Sequence, residues 1–437
     1  MNSAIAVVGG GPAGMMAACA IAQAGGQAVL YEQNAACGKK LRITGKGRCN
    51  VTNDCTPAQV MENITRNRKF LYSALYRFSP ADVMAFFEEQ GVPLKTERGR
   101  RVFPVSDRAA DICAALERLM ARLHCSVIRE QVQSVLYDTD NNVCGLRTRS
   151  GREYAHGAVI IATGGISYPA TGSRGDGHRM AGEAGLHVTP LTGSLVPIVC
   201  RESTRDWMGL SPKNVRLTVK RGDKTVFAEQ GEMLFTHFGV SGPLVLSASA
   251  HMQEGDITDY RMSIGWKPAL SEEELDARLV ADMKKYAAKD FINSLGDLLP
   301  RAMIPAVVER SGIPPRMKAG AITREMRGRL LSVLKEFTLT PVAFRPVEEA
   351  IVTCGGVDVK EIDPKTMMAR RVPGLFFAGE VLDLDAYTGG YNLQIAWSTG
   401  RQAGLGAAQY ILERTIPQVA TPPCPRRCCA SPTQGGL

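Results

Sequence analysis

The residues with the clearest chemical pattern are three glycines near the start of the chain. Gly9, Gly11 and Gly14 form a G-x-G-x-x-G spacing between an apolar run at 4–10 and a helical pattern at 12–24. Such glycines permit a tight turn, the approach of a pyrophosphate to the backbone, and close packing of helix on strand. Glu32 follows at the end of the next apolar run, where an acidic side chain hydrogen-bonds a ribose diol. The pattern predicts a dinucleotide site.

No second pattern of this kind follows a later strand. The nearest partial matches, at 45–50 and 175–180, have Asn50 and Met180 where the third glycine would stand. The glycine pattern alone fits NAD or FAD, because both dinucleotides use the same turn. The missing repeat favours one resident dinucleotide, with any second nucleotide docking transiently.

The elements around the glycine turn predict a strand–helix–strand unit. Runs 4–10 and 27–32 are apolar and β-branched, as is typical of buried parallel strands. A long polar loop at 33–53 follows, and loops of that length are more often functional than accidental. Further helices are predicted near 57–77, 80–90 and 107–124, and an antiparallel meander near 126–137, 143–148 and 152–154.

The predicted secondary structure changes in the middle of the chain. Short strand patterns at 195–199, 215–220, 225–229, 232–235 and 260–266 predict a small barrel or sheet. A capping box at 271–274 opens a helix-rich run to about residue 336. Strand patterns resume at 342–345, 350–353 and 374–378, before a long helix at 392–412.

The composition restricts the class of protein. The 437 residues include 52 Lys and Arg against 43 Asp and Glu, giving a formal net charge of +9. This length predicts two or three domains, and a hydrophobic fraction of 45% is typical of a globular chain. No apolar run reaches the roughly 20 residues that a bilayer span requires, and we find no secretory signal. We therefore expect a cytoplasmic protein without a membrane span.

Neither the cysteines nor the positive charges form a clustered pattern. Twelve Cys and six His are scattered without a CxxC pair, so reduced thiols and no metal site are expected. The arginine pairs at 100–101, 370–371 and 426–427 are isolated, and aromatic residues make up only 6%. A solvated surface is therefore preferred over a nucleic-acid interface. The oligomeric state stays open.

Five segments carry a family pattern. They are GGGPAG at 9–14; GKK at 38–40 with TGKGRCNVTN at 44–53; ATGG at 162–165 with SYP at 167–169 and GSRGDG at 172–177; GE at 231–232 with LFTH at 234–237 and SGP at 241–243; and 374–400. In these segments the chain resembles the bacterial BaiN-like, or aminoacetone-oxidase, family of FAD-binding flavoproteins. The resemblance extends from about Ala4 to Leu412.

The resemblance implies an α/β fold with one interruption. A glutathione-reductase-type, Rossmann-like FAD-binding domain would be interrupted by a β-barrel domain that itself carries a helical insert. The FAD-binding domain would comprise 1–190 and 345–415, the barrel 191–270 and 337–344, and the insert 271–336. Residues 416–437, rich in Pro and Cys, are predicted to form a disordered tail.

The resemblance also implies which residues contact FAD. Ala162, Thr163 and Gly164 would form a second backbone contact, for which small residues are suited. Val132 would lie in the strand that offers backbone hydrogen bonds to adenine, and Gly379 and Glu380 would contact the ribityl and pyrophosphate portion. The other implied contacts are Gly9, Gly11, Pro12, Ala13, Gly14, Glu32, Gln33, Lys40, Gly47, Asp383, Gly390, Asn392 and Leu393.

The loop at 38–53 is similar to the family's segment beside the isoalloxazine ring. Arg42 and Arg48 would face phosphate or the flavin edge, and Asn50 would hydrogen-bond polar ring atoms. Cys49 lies between Arg48 and Asn50, where a thiolate could be stabilised. No partner cysteine lies nearby, so a packing role beside the flavin is preferred to disulfide chemistry.

We expect an FAD-dependent oxidoreductase in which hydride transfer reduces an activated C=C bond of an apolar small molecule, such as a 3-oxo bile acid or steroid. NAD(P)H would be the transient donor. His237 and Tyr391 are candidate proton donors, although structural roles are more common for such residues. An amine oxidase that uses O₂ is one alternative. A flavin-dependent nucleic-acid-modifying or nucleic-acid-binding protein is another.

Overall fold

A computed structural model describes residues 4–415 of the chain, so the tail predicted at 416–437 lies outside the described residues. The strands are β1 (Ala4–Val8), β2 (Gln27–Tyr31), β3 (Thr52–Asn53), β4 (Leu94–Glu97), β5 (Arg101–Pro104), β6 (Ser126–Ile128), β7 (Val132–Tyr137), β8 (Val143–Thr148), β9 (Glu153–Ala155), β10 (Ala158–Ile161), β11 (Thr192–Ser194), β12 (Ile198–Cys200), β13 (Val215–Arg221), β14 (Lys224–Gly231), β15 (Leu234–Phe235), β16 (Gly239–Ser241), β17 (Tyr260–Gly265), β18 (Phe337–Leu339), β19 (Pro341–Phe344), β20 (Val352–Cys354) and β21 (Leu375–Phe377).

The helices are α1 (Pro12–Gln23), α2 (Pro57–Glu62), α3 (Tyr72–Arg77), α4 (Pro80–Glu89), α5 (Ala109–Arg122), α6 (Asp176–Glu183), α7 (Pro243–Ser249), α8 (Glu272–Lys285), α9 (Ile304–Ser311), α10 (Arg324–Lys335) and α11 (Tyr391–Thr415). Among the helices within 4–415, none combines the length and apolarity that a membrane crossing requires.

A five-stranded parallel sheet joins the two ends of the chain. Its strand order is β21-β10-β1-β2-β6, and every neighbouring pair is parallel. Residues of β1 and β10 are almost entirely buried, which explains their continuous apolar sequences. The predicted strand–helix–strand unit is present as β1, α1 and β2. Because β21 comes from the far end of the chain, the sheet is complete only when both ends contribute.

The first and last long helices pack closely on this sheet. α1 is rich in small residues, and α11 presents Gly400 and Gly404 to it. A Cβ at Gly400 would lie 2.3 Å from the Ala13 carbonyl oxygen, and one at Gly404 would lie 2.5 Å from the Ala17 oxygen. The missing side chains therefore allow the two backbones to touch, which fixes the start of α1 relative to α11.

The middle of the chain forms a second hydrophobic core. Two four-stranded antiparallel sheets, β15-β16-β12-β19 and β14-β13-β17-β18, lie here. The predicted helix-rich segment contains α8, α9 and α10, and their buried apolar side chains share the core of the second sheet. For example, Leu275 and Leu334 belong to the same buried cluster as Met262 and Ile264.

Two predicted elements are divided in the structure, and tertiary contacts explain both. The helical pattern at 57–77 breaks between α2 and α3, where Thr65 N–H donates to the Asp385 carbonyl at 3.0 Å and Asn67 adopts a φ of +53°. The strand pattern at 126–137 divides into β6 in the parallel sheet and β7 in an antiparallel meander with β8 and β9. Contacts distant in sequence thus override local propensity.

Candidate functional site

A cavity of about 1400 Å³ opens at the carboxyl ends of the parallel strands. Val8, Tyr31, Ala162 and Ala378, which end or directly follow β1, β2, β10 and β21, all line it. Ligands of open α/β sheets bind at this edge. The volume exceeds the 300–1,000 Å³ usual for a small ligand, so there is room for a dinucleotide together with a second molecule.

The glycine turn forms the floor of the cavity. Gly9 has a φ of +105°, and a Cβ on Gly14 would lie 1.9 Å from the Gly9 oxygen, so this contact requires glycine. A Cβ on Gly11 would meet nothing within 4 Å, because this residue faces the open cavity. The turn therefore leaves backbone accessible at the amino end of α1, where N–H groups and the helix dipole favour phosphate.

Glu32 stands beside this turn and is only 8% exposed. One carboxylate oxygen accepts from Gly10 N–H at 2.7 Å, and the other accepts from the backbone and side-chain nitrogens of Asn34, also at 2.7 Å. An ionised carboxylate has about four acceptor positions. Glu32 therefore holds the turn in place and keeps acceptor capacity for a hydroxyl donor in the cavity.

Lys40 and Glu380 form an ion pair in the cavity wall. Their Nζ and Oε2 atoms are 2.7 Å apart, and each side chain is about one-fifth exposed, at 21% and 20%. Glu380 also accepts from Thr353 N–H at 2.8 Å and Ser167 Oγ at 3.0 Å. Burial opposes ionisation, but the charge and hydrogen bond of Lys40 hold the pKa of Glu380 below its usual value. The pair joins the loop at 33–53 to the segment after β21.

Two buried polar atoms in the cavity wall lack partners within the described protein. Asn50 Oδ1 and Thr163 Oγ1 accept or donate no hydrogen bond there, although both residues line the cavity. Buried polar atoms are normally satisfied, so these two suit polar atoms of a bound ligand. Together with the open Gly11 backbone, they fit a dinucleotide cofactor, as FAD would be.

The start of α11 closes the other side of the cavity. Gly390 has a φ of +100°, and a Cβ there would lie 2.3 Å from the Thr52 oxygen of β3. Asn392 uses its side chain within the protein, because its Oδ1 accepts from Ala386 N–H at 3.0 Å and its Nδ2 donates to Ala386 O at 2.7 Å. Gly390, Asn392 and Leu393 line the cavity, so the amino end of α11, whose first backbone N–H groups have no partner within a helix, lies at the cavity.

Most of the residues predicted to bind the cofactor are brought together here. Those that line the cavity are Gly9, Gly11, Pro12, Ala13, Glu32, Gln33, Lys40, Arg48, Asn50, Val132, Ala162, Thr163, Gly164, Gly379, Glu380, Gly390, Asn392 and Leu393. Arg48 also lines the cavity, but its guanidinium group is already paired with carboxylates. It pairs with Glu97 and donates to Asp107 at 2.8 Å, and it lies over the Phe103 ring at 4.1 Å.

Five predicted contacts lie outside the cavity lining. Gly14 supports the turn from behind, and Gly47 has a φ of +85° with open space around it. Arg42 approaches Glu117 at 3.5 Å, and Asp383 pairs with Arg66 at 3.2 Å. The fifth is Cys49, which is fully buried.

Burial raises the pKa of the Cys49 thiol to about 12, so this side chain is protonated at neutral pH. Every cysteine in the described part of the chain is a free thiol. The packing role of Cys49 beside the flavin stays a prediction.

The two candidate proton donors lie in different places. Tyr391 lines the cavity, and burial raises the pKa of its hydroxyl to about 12. His237 is exposed, stands edge-on to Phe238 at 5.0 Å, and is not among the lining residues. Only Tyr391 therefore has a position from which it could serve a ligand in this cavity.

A third candidate proton donor, the Tyr387 hydroxyl, was not predicted from the sequence. Tyr387 lines the cavity and is hydrogen-bonded to His251 Nε2 beyond the carboxyl end of α7. Burial raises the pKa of Tyr387 to about 12, with Glu229 adding to the rise, and burial lowers the pKa of His251. The pair is therefore a neutral tyrosine backed by a neutral imidazole. One signal could have indicated this residue: Tyr387 lies between the last strand and the last helix.

Comparison with known proteins identifies the family. A model described as the HI0933-like protein Rossmann domain matches residues 3–406. The "Ribosomal RNA dihydrouridine synthase" of Escherichia coli is 30% identical over 90% of this chain and 95% of its own length. The "3-dehydro-bile acid delta(4,6)-reductase" of Clostridium scindens is 28% identical over 93% of this chain and 99% of its own. The Haemophilus influenzae protein named like the first is 29% identical over 92% and 98%.

These matches confirm the resemblance and the expected enzyme class, an FAD-dependent oxidoreductase with a Rossmann-type α/β fold. The chain belongs to the HI0933-like protein Rossmann domain family.

Proposed function

We propose that the chain is an FAD-dependent reductase that saturates a C=C bond conjugated to a carbonyl group. The names of both kinds of relative support this reaction, because dihydrouridine is uridine with hydrogen added across one ring C=C bond, and a delta reductase likewise removes a double bond. The observation that carries the proposal is a single cavity with the glycine turn at its floor and the hydroxyl of Tyr387 in its wall.

The residues around the cavity are suited to hold FAD across its length. Gly11 and the start of α1 would face the pyrophosphate, Glu32 the adenosine ribose, and Asn50 with the start of α11 the ring system. When bound, FAD supplies hydride chemistry: it accepts two electrons from a donor and passes them to a substrate. We place the FAD-binding domain at 1–190 and 345–415, around a barrel at 191–270 and 337–344 with its helical insert at 271–336.

Saturation of a C=C bond requires one proton in addition to the hydride. Tyr387 Oη is the group that we assign to this proton, because it faces the cavity, its raised pKa keeps it protonated, and His251 Nε2 orients it. His251 is a positioning residue that holds the hydroxyl in place through this hydrogen bond, and the proton that Tyr387 gives up is replaced from solvent. General acid catalysis by a positioned side chain contributes about 10²–10⁴-fold to the rate.

The first substrate candidate is an apolar cyclic ketone, with NAD(P)H as donor. The aliphatic part of the cavity lining supports this choice. The side chains that form it include Leu195, Leu234, Pro243, Leu246, Ile351 and Leu384. A flat apolar ring system would bury against this lining.

The second candidate is a uridine in RNA, and the charge at the cavity supports it. Lys46, Arg98, Arg101 and Lys213 line the cavity and are exposed. In the described part of the chain none of them has a carboxylate partner within 4.0 Å. Free cations at an opening are suited to the phosphates on either side of a base that has left its stack.

An anaerobic reduction experiment tests the proposal. The FAD-loaded chain is treated with NADH or NADPH, and the loss of flavin absorbance is followed. The reduced chain is then mixed with a 3-oxo-Δ4 steroid or a uridine-containing oligoribonucleotide. Return of the absorbance with formation of the saturated product supports the reductase and selects its substrate. A chain that binds no FAD, or that instead releases hydrogen peroxide when turning over an amine in air, contradicts the proposal.

A further inference from the structure

A segment next to the cavity carries cations and no acids. Residues 63–81 contain four Arg and Lys but no Asp or Glu. Arg66 is engaged, because it pairs with Asp383 at 3.2 Å and Asp385 at 3.3 Å. Arg68, Lys69 and Arg77 are exposed, and within residues 4–415 no carboxylate lies within ion-pair distance of them. Three positive charges are thus left facing solvent.

Two stacked tyrosines stand among these cations. The rings of Tyr72 and Tyr76 lie 4.4 Å apart at 26°, and the residues are 57% and 50% exposed. Their spacing of four places both on one face of α3, whereas Ala74 and Leu75 bury the opposite face. We call Arg68, Lys69, Tyr72, Tyr76 and Arg77 the tyrosine–arginine patch.

The patch begins beside the cavity. Asn63 lines the cavity, and its carbonyl oxygen accepts from Tyr387 N–H at 3.0 Å. Asn67, directly before the patch, donates to the Asp383 carbonyl at 2.8 Å. The segment that carries the patch is therefore fixed to the same stretch that holds Tyr387. From Arg68 to Tyr76 the helical rise is on the order of 12–16 Å, a span of two or three nucleotides.

We propose that the tyrosine–arginine patch binds single-stranded RNA next to the active-site cavity. The tyrosines would stack unpaired bases, and the three cations would pair with phosphates on either side. The proposal rests on the second candidate of the proposed function, a uridine in RNA, and names the surface that would hold its flanking nucleotides. In the sequence this partner was disfavoured because aromatics are scarce and arginine pairs isolated. The patch differs from those pairs because two exposed tyrosines and three exposed cations lie within the ten residues 68–77.

A purely structural role for the patch predicts a different outcome. Aromatic pairs at a spacing of four stabilise a helix slightly, so that role would make substitutions change stability and leave RNA binding unaltered. Large exposed tyrosines beside unpaired cations are instead typical of a surface that contacts a polyanion with bases.

Fluorescence anisotropy with a labelled 15-nucleotide oligouridine and the FAD-loaded full chain tests the proposal. Tyr72→Ala/Tyr76→Ala is expected to weaken binding roughly tenfold, without changing the slope of log affinity against log salt. Replacing Arg68, Lys69 and Arg77 with Gln is expected to reduce that slope by about 2, since each phosphate contact contributes about 0.7. The flavin spectrum of each variant reports whether the cofactor site is intact.

A matched control removes equal charge elsewhere. Lys284→Gln/Arg316→Gln/Arg324→Gln changes three exposed cations of the helical segment, for which no ion pair within 4.0 Å exists among residues 4–415. This variant is expected to keep nearly the wild-type affinity and slope. If the control weakens binding as much as the patch variant, or if the tyrosine variant binds like wild type, the proposal is overturned.

Other occupants of the patch give distinct results. Binding to vesicles that contain anionic phospholipid but not to the oligouridine, or a dimer that dissociates in the tyrosine variant, would overturn the RNA assignment. The binding measurement needs no turnover. RNA bound at the patch without uridine reduction would retain this inference and remove the uridine candidate. Reduction of a steroid ketone without RNA binding would overturn this inference and retain the proposed reductase with its first substrate candidate.

Discussion

Replacing Lys40 with Met removes the positive partner of Glu380 in the cavity wall. The carboxylate loses an ion pair of 2.7 Å but keeps its hydrogen bonds from Thr353 and Ser167. Loss of a partner from a fully buried pair costs about 3–5 kcal/mol, and a charged hydrogen bond contributes about 1.5–3 kcal/mol. Because each side chain is one-fifth exposed and two donors remain, we expect a decrease of about 2–3 kcal/mol in the free energy of unfolding.

Thermal unfolding of the cofactor-free chain measures this decrease. For a folding unit of 150–250 residues, 1 kcal/mol shifts Tm by about 2–4 °C, so Lys40→Met should unfold about 5–10 °C below wild type. Lys39→Met is the matched control. Lys39 is exposed and donates to the Ala170 carbonyl at 2.7 Å, and among residues 4–415 it has no carboxylate partner, so its loss should change Tm by about 2 °C or less.

The pH dependence gives the sharper test. In wild type the pKa of Glu380 is lowered, so its contribution is present above the unfolded pKa and is lost as pH falls through the folded pKa. Without Lys40, burial is the dominant influence and raises the pKa of Glu380, so the folded variant binds more protons than its unfolded chain. The Tm deficit should therefore shrink as pH falls from 7 towards 4.

Two results would refute this reasoning. One is a Tm deficit of Lys40→Met that stays constant across the whole pH range. The other is a double variant, Lys40→Met/Glu380→Gln, whose deficit equals the sum of the two single deficits, because neutralising the orphaned carboxylate must recover part of the loss.

Three further changes test other parts of the site. Gly390→Ala places a methyl group 2.3 Å from a β3 carbonyl oxygen, so the variant should no longer bind flavin stoichiometrically, as measured by absorbance. Gly25→Ala is the control for backbone strain, because Gly25 has a φ of +82° and a Cβ there would meet no described atom within 4 Å. Tyr387→Phe should lower kcat about 10²–10⁴-fold with the flavin spectrum retained, and an unchanged kcat would exclude it as the donor. Burial lowers the pKa of His156, His178 and His251. Tm should therefore fall as pH decreases from about 6.5 to 5, and a flat profile of Tm against pH would contradict this expectation.

The features that were predictable from the sequence are those whose cause is local. The glycine turn, its acidic partner Glu32 and the flanking strands lie within about 30 residues and follow from backbone geometry and apolar runs. Tyr387 and His251 are 136 positions apart, so no spacing indicates that they meet. Arg48 was expected to face the cofactor, but acids from two other segments, Glu97 and Asp107, engage its charge. Local patterns contain no information about such partners.

The topology of the parallel sheet also affects how the protein matures. The glycine turn is made first, but β21 and α11, which complete the sheet and cover α1, leave the ribosome more than 200 residues after β10. At about 5–20 residues per second, this delay is on the order of 10–40 s. During that interval the middle core is synthesised, while the apolar face of α1 still lacks its helical partner. The nascent chain therefore passes through a stage with an ordered centre and an unfinished cofactor domain, when chaperones and cofactor supply would matter most.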